Sequence, residues 1–428
     1  MPSLTGARPS LATLLVLAAL VFLAYSPALT QPLLEDDYPN IVLAQHYGPV
    51  SDWPRMFHDA VFRLRTTTWL MMYGLNAMFG MHAAAYYAAM ILLQVLNTWL
   101  VYLLGIWRPL GFGVSTFAAG FFAVYEGHQE AVMWLSGSTE PLLVFFGLLS
   151  FLFWIRFLDA RGLAWYAASL LAFSLALLSK ESAVILVPLL ALPVAMDRQM
   201  WRRVLWLLPF AVLASLAAIS LFLARSYSFR FRDGSFALDA PVWLTWPLNF
   251  GRLFWFWGLL SLIAILVWKP DGYRRILNFA LAWTGASLIP YSFLTYSKRI
   301  PSRQLHLASV GVAIVVGFAL LNLFERYWPK RRVAVVALCA LIVAHNVIYL
   351  WTKKRGQFLE RAAPTQQLIA LARVTRGPIY VKCFPRTPLI AQAAVQLMID
   401  AQAADSLLWT PEQARAHPGA VTFCYPQR

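Results

Sequence analysis

Eleven apolar stretches run along this sequence: 11–29, 84–106, 112–126, 139–157, 163–179, 183–197, 204–224, 252–268, 276–295, 304–323 and 333–351. Crossing about 30 Å of hydrocarbon by helix takes roughly 20 apolar residues. The bilayer interior also requires each segment to satisfy its own backbone, which a helix does. The expected fold is therefore an all-α polytopic membrane protein with about 11 transmembrane helices. Several stretches are short or carry Pro, as at Pro188 and Pro209, so partner helices are expected to cover them. The first is long for a signal-peptide core and lacks a strong A-x-A cleavage site after it, which predicts a retained anchor.

Composition supports this reading and removes others. Hydrophobic residues make up 60% of the 428 and charged residues 13%, against about a quarter charged in soluble domains. The net charge of +16 would suggest a nucleic-acid partner in a soluble chain. Here the basic residues sit between apolar runs, where lipid headgroups account for them, and no nucleic acid is expected. There is no CxxC, no HExxH and no Gly-rich phosphate loop.

With a cytoplasmic N-terminus, the short loops carrying Arg108, Arg156, Arg202, Arg203, Arg274, Arg275, Arg331 and Arg332 face inward, as the positive-inside rule favours. Most carboxylates then collect on the external face, where the chemistry is expected. Two external loops stand out, 30–83 with helices along the interface and the aromatic, basic 225–251. Residues 1–351 form the membrane domain. The tail, 352–428, reads as a small external α/β unit, with helices near 360–375 and 388–402 and strands near 379–384 and 420–425. Cys383 and Cys424 lie in those two strands. If the strands pair, the thiols either bridge or sit buried on one sheet; Cys339, inside the last span, has no partner.

Four groups of polar residues need explaining. Glu35-Asp36-Asp37 follows the first span; three adjacent carboxylates raise at least one pKa, which suits a general base or metal ligand, and equally a solvated helix cap. Glu126, His128, Glu130 and Glu140 cluster in 126–140, with Trp134 available to stack on a sugar or to anchor at headgroups. Lys180-Glu181 is either self-neutralising, or Lys180 faces a phosphate while Glu181 orients it. Lys298, Arg299 and Arg303 cluster before the tenth stretch, where the arginines' planar forks suit phosphate or headgroups.

Taken in order, E-D-D after the first span, H-Q-E-A-V-M-W-L-S-G-S-T-E, L-S-K-E-S and S-R-Q-L-H-L-A-S-V-G resemble the C-type glycosyltransferase superfamily over roughly residues 10–325. The likeness is greatest to the membrane region of the transmembrane and tetratricopeptide-repeat O-mannosyltransferases and their bacterial relatives. The last motif departs from that family: Ser302, His306 and Ala308 stand for its Glu, Tyr and Pro, and Ser138 stands for an Arg in the second. No tetratricopeptide repeats follow.

The resemblance implies a glycosyltransferase of the bacterial inner membrane, acting on the external face. It would use a polyprenyl-phosphate sugar and an acceptor hydroxyl on protein, lipid or glycan. Asp37 or Asp36 would be the base, with Glu130 at the reacting centre. His128, Glu35, Glu181 and Glu140 would orient the acceptor or a divalent ion. Lys180, Arg303 and Arg299 would hold the donor phosphate, and Trp134 would stack on the sugar. A transporter or flippase of a lipid-linked substrate, and a non-catalytic scaffold, are the competing readings.

Overall fold

The computed structural model describes residues 10–226, 236–237, 239–294 and 301–426. Each of the eleven apolar stretches is helical where described. Six helices are long and apolar enough to cross a membrane, or seven if the bent pair Val242–Phe254 and Trp257–Trp268 is one span. Gly111–Val124, Leu163–Leu177 and Glu181–Ala195 are apolar but shorter. Length and composition thus support six or seven crossings by themselves, and the expected count of eleven is not confirmed. The last ten residues of the second expected loop, 242–251, belong to the first helix of the bent pair, which turns through 85° at Trp255–Phe256.

Close approach of helices explains how the bundle holds together where lipid tails compete with side chains. Two glycines of the His306–Tyr349 helix mark the contacts. A Cβ at Gly317 would meet Val114 O at 2.6 Å, and one at Gly311 would meet Ala280 O at 2.4 Å. The long helix therefore lies directly against both the Gly111–Val124 and Tyr273–Leu288 helices. Around them Phe151, Trp154, Phe210, Phe279 and Trp283 fill the core.

The long helix changes how the tail is understood. Its one non-helical residue is Arg331 (φ −137°, ψ 46°). Beyond it the helix passes through a π turn, Leu350–Lys354, into Arg355–Val374 without interruption. Lys330–Val374 makes 45 residues, roughly 68 Å at 1.5 Å per residue. The boundary placed at 352 falls inside this rod.

After it come β1 (Ile379–Cys383), a helix (Pro388–Met398), β2 (Leu407–Leu408) and β3 (Val421–Cys424). The sheet is parallel in the order β2-β1-β3. A disulfide joins Cys383 to Cys424, whose Cα atoms are 4.5 Å apart; Cys339 is free. Ala393 and Ala394 of the tail helix share an apolar cluster with Tyr38, Ile41 and Leu135. The tail is thus docked on the first long loop.

Candidate active site

The candidate residues gather at one end of the bundle, and the turn after the first helix separates the two aspartates. Asp37 is fully buried. Leu34 N–H donates to its Oδ2 at 2.8 Å, while Ser136 donates to Oδ1 from its N–H (2.8 Å) and its hydroxyl (2.6 Å). Burial pushes the Asp37 carboxyl up to about 7; those three donors pull it down and the neighbouring Asp36 charge adds to the rise. Asp37 therefore ties the 34–37 turn to the 135–137 loop from a fully buried position. Asp36 is accessible, in a recess crowded enough that burial, then Glu35, raise its pKa while Arg303, Arg361 and Arg386 oppose the rise.

Glu35 is gripped from the tail. Arg361 makes two bonds to it, at 2.6 and 3.2 Å, and Arg386 a third at 2.6 Å. Beside them Arg303 reaches Glu130, from its backbone N–H at 3.3 Å and its guanidinium at 3.8 Å. The guanidiniums of Arg303 and Arg361 lie over the Trp134 ring, at 4.5 and 4.3 Å. Trp134 is 5% exposed, so it carries two arginines and is no open platform for a sugar. A cavity of about 490 Å³ opens here between Glu130, Arg252, Lys354, Arg361 and Arg386. It meets a second of about 660 Å³ at Gln129, Arg252 and Lys354. The result is a continuous basic groove.

Other expected site residues turn out to be built into the packing. His128 is fully buried. Its Nε2 lies 2.7 Å from Ser309 Oγ, and its Nδ1 3.0 Å from Gln94 Nε2. Ser309 spends its proton on the His306 carbonyl (2.6 Å), which makes Nε2–H the donor to Ser309 and Nδ1 the acceptor from Gln94. Burial, with His306 alongside, lowers the His128 pKa well below its ordinary value. The ring is therefore a neutral strut that meets no acceptor. Glu140, also fully buried, pairs with Lys180 and accepts from the Tyr291 hydroxyl at 2.9 Å. Glu181 pairs instead with Arg65 at 2.9 Å. Lys180 and Glu181 thus do not neutralise each other; each has a different ionic partner. Arg299, with Lys298, lies outside the described residues. Among the described residues no three His, Cys, Asp or Glu side chains come together to hold a metal ion.

Lys180, Glu181 and Tyr291 form the polar end of a further cavity of about 340 Å³, otherwise lined by apolar residues such as Phe62, Val184, Leu221 and Leu294. Gln304 lines it, its Oε1 buried without a hydrogen bond among the described residues. The short turn Ser302–Leu305 thus carries Gln304 on the wall of the apolar cavity and, next to it, Arg303 paired with Glu130, which lines the basic groove. Arg361, Arg386, Arg252 and Lys354 were not anticipated as site residues. Lys354, Phe358 and Arg361 do follow i, i+4, i+7 spacing on one helix face, a signal that treating the tail as a separate domain conceals.

This architecture matches solved structures. ArnT from Cupriavidus metallidurans bound to undecaprenyl phosphate aligns at TM-score 0.60 and 13% identity, over 97% of this chain and 96% of that one. The archaeal oligosaccharyltransferase AglB from Archaeoglobus fulgidus, in complex with an inhibitory peptide and a dolichol-phosphate, aligns at TM-score 0.56 and 14% identity, over 94% of this chain. This chain spans 64% of the length of that protein. No protein-family model matches the sequence, and no curated protein sequence does. The chain shares the fold of these two proteins.

Proposed function

We propose that the protein is a membrane glycosyltransferase that moves a sugar from a polyprenyl-phosphate donor to an acceptor hydroxyl. The observation that carries this is the placement of one accessible carboxylate, Asp36, within the field of three arginines beside the groove. Next to it the Ser302–Leu305 turn places Gln304 on an apolar cavity and Arg303 against Glu130 of the basic one. A lipid-phosphate sugar needs those two environments side by side. The isoprenoid chain suits the apolar cavity, and its phosphate suits Arg303 at the boundary. That ArnT and AglB were solved with undecaprenyl phosphate and dolichol-phosphate supports the donor class.

In the reaction the acceptor oxygen attacks the anomeric carbon as the carbon–oxygen bond to phosphate breaks. Asp36 takes the hydroxyl proton, and its raised pKa brings it nearer the working pH, where a base is most effective. Charge builds on the leaving phosphate, and Arg303, already fixed by Glu130 and Trp134, receives it without reorganising. Glu130, half-buried on the groove wall, orients the acceptor. Lys180 is matched by Glu140 and shapes the apolar cavity. The site faces outward in this reading, from a bacterial inner membrane, with the N-terminus inside and the shorter helices, Tyr273–Leu288 among them, completing eleven crossings.

The test is transfer from a radiolabelled polyprenyl-phosphate sugar in membranes. Asp36→Asn should lower it by about 10²–10⁴-fold with expression unchanged, and Glu130→Gln should lower it as well. Wild-type rates in Asp36→Asn would sink the assignment.

A further inference from the structure

The C-terminal unit reaches the site through one strained residue. Glu35 has φ of 33°, in the left-handed region that residues with side chains seldom occupy. Such strain persists only where the surroundings over-determine it. Here the surroundings are two guanidiniums supplied by the tail. Arg361, 326 positions later in the chain, binds both carboxylate oxygens of Glu35, and Arg386 binds one of them again. Arg386 lies three residues beyond Cys383, on the segment leaving β1, and the disulfide to Cys424 closes that end of the sheet. The Glu35 side chain is 10% exposed and that of Arg361 25%, so their pair is largely shielded from solvent, while Arg386, at 38%, closes the clamp from its exposed side.

The strained turn has a clear geometric result. It lets Leu34 and Ser136 hold Asp37 inward while the adjacent Asp36 points out beside the groove. We infer that Arg386 and Arg361 are positioning residues acting through Glu35, holding the turn that aims Asp36, so that the C-terminal sheet is part of the catalytic apparatus. The kinetic side of this inference rests on the proposed sugar transfer; the structural side does not.

Hydrogen exchange on the purified full-length protein reads the turn directly, because Leu34, Asp37 and Tyr38 N–H groups are all bonded within it. In Arg386→Ala the amides of 33–40 should exchange about tenfold faster, an opening equilibrium of the local kind. Arg386→Lys should restore part of the protection. Arg386→Ala should add nothing in a Glu35→Gln background, since residues acting in one chain of contacts are not additive. The Cys383→Ser, Cys424→Ser pair should loosen the same segment. In an active wild type, Arg386→Ala should lower kcat about tenfold to hundredfold, as small misplacements of a reacting group do, with donor KM changed less than about twofold.

Unchanged exchange over 33–40 in folded Arg386→Ala and Glu35→Gln overturns the inference, whether or not sugar transfer is detected. So does additive loss in the double variant. Faster exchange with an unchanged kcat overturns the positioning role. Absence of transfer by the wild type removes the proposed function, and the exchange measurement still decides the clamp.

Discussion

Lys180→Met should destabilise the protein severely, and Glu140→Gln in the same chain should restore most of the loss. The pair lies inside the bundle, with side chains 5% and 0% exposed. Taking Lys180's charge away leaves a fully buried carboxylate with the Tyr291 hydroxyl as its donor among the described residues, at 2.9 and 3.2 Å. One neutral hydroxyl does not replace an ammonium, and breaking a buried pair from one side costs about 3–5 kcal/mol. Neutralising the second partner removes the stranded charge. Gln at 140 still offers Tyr291 an acceptor, so the double variant should lie within about 1–2 kcal/mol of wild type. Denaturant titration of detergent-purified protein, run on wild type, both single variants and the double, gives the coupling directly. A Lys180→Met variant as stable as wild type would refute the reasoning, and so would a double variant no more stable than Lys180→Met.

Asp37 makes stability depend on pH in an unusual direction. Its folded pKa of about 7 lies above the ordinary 3.8, so the folded state holds the proton longer than the unfolded chain. Stability from this group is greatest below about pH 4 and falls as pH rises toward 7; Asp37→Asn should flatten that slope in denaturation curves at pH 4.5 and 7.5. Trp134→Ala should weaken the grip on Arg303 and Arg361, each cation–π contact being worth about 0.5–2 kcal/mol, and Trp134→Phe should retain most sugar transfer in the membrane assay. Thiol labelling of denatured, unreduced protein should find one reactive cysteine, Cys339, and cutting the bridge by Cys383→Ser should cost about 3–4 kcal/mol in the chain-entropy treatment.

Much of the fold was readable in the sequence because an apolar run reports its own environment. Each of the eleven stretches needs nothing but its own hydrophobicity to become a helix in lipid, and the strands around Cys383 and Cys424 carry their own β-forming residues. The count of crossings was less readable, since a 14-residue helix such as Gly111–Val124 has no length signal of its own. The site was only half legible. Glu35, Asp36, Asp37, Glu130, Trp134 and Arg303 do come together, yet which aspartate faces out depends on the backbone angle at Glu35, which no residue type announces. His128 and Glu140 looked chemical because ionisable groups at a membrane interface usually are. Their partners, Ser309 and Lys180, lie 181 and 40 positions away, beyond any spacing argument. Arg361 and Arg386 were missed because a helix that continues for 45 residues erases the boundary that composition suggests at 352.

That uninterrupted helix also bears on modularity. A domain on a flexible tether can be exchanged for another, and its height above the membrane varies from moment to moment. Here the last membrane crossing and the stem of the C-terminal sheet are a single rod, so the sheet has one height and one azimuth, both set by how the bundle is packed. An insertion of a single residue near Thr352 would turn everything beyond it by about 100° and lift it about 1.5 Å. Arg361 would then be carried away from Glu35. Chimeras joined inside this stem should therefore keep both halves folded only when the helical phase is conserved, and relatives of this chain should vary in that segment by whole turns.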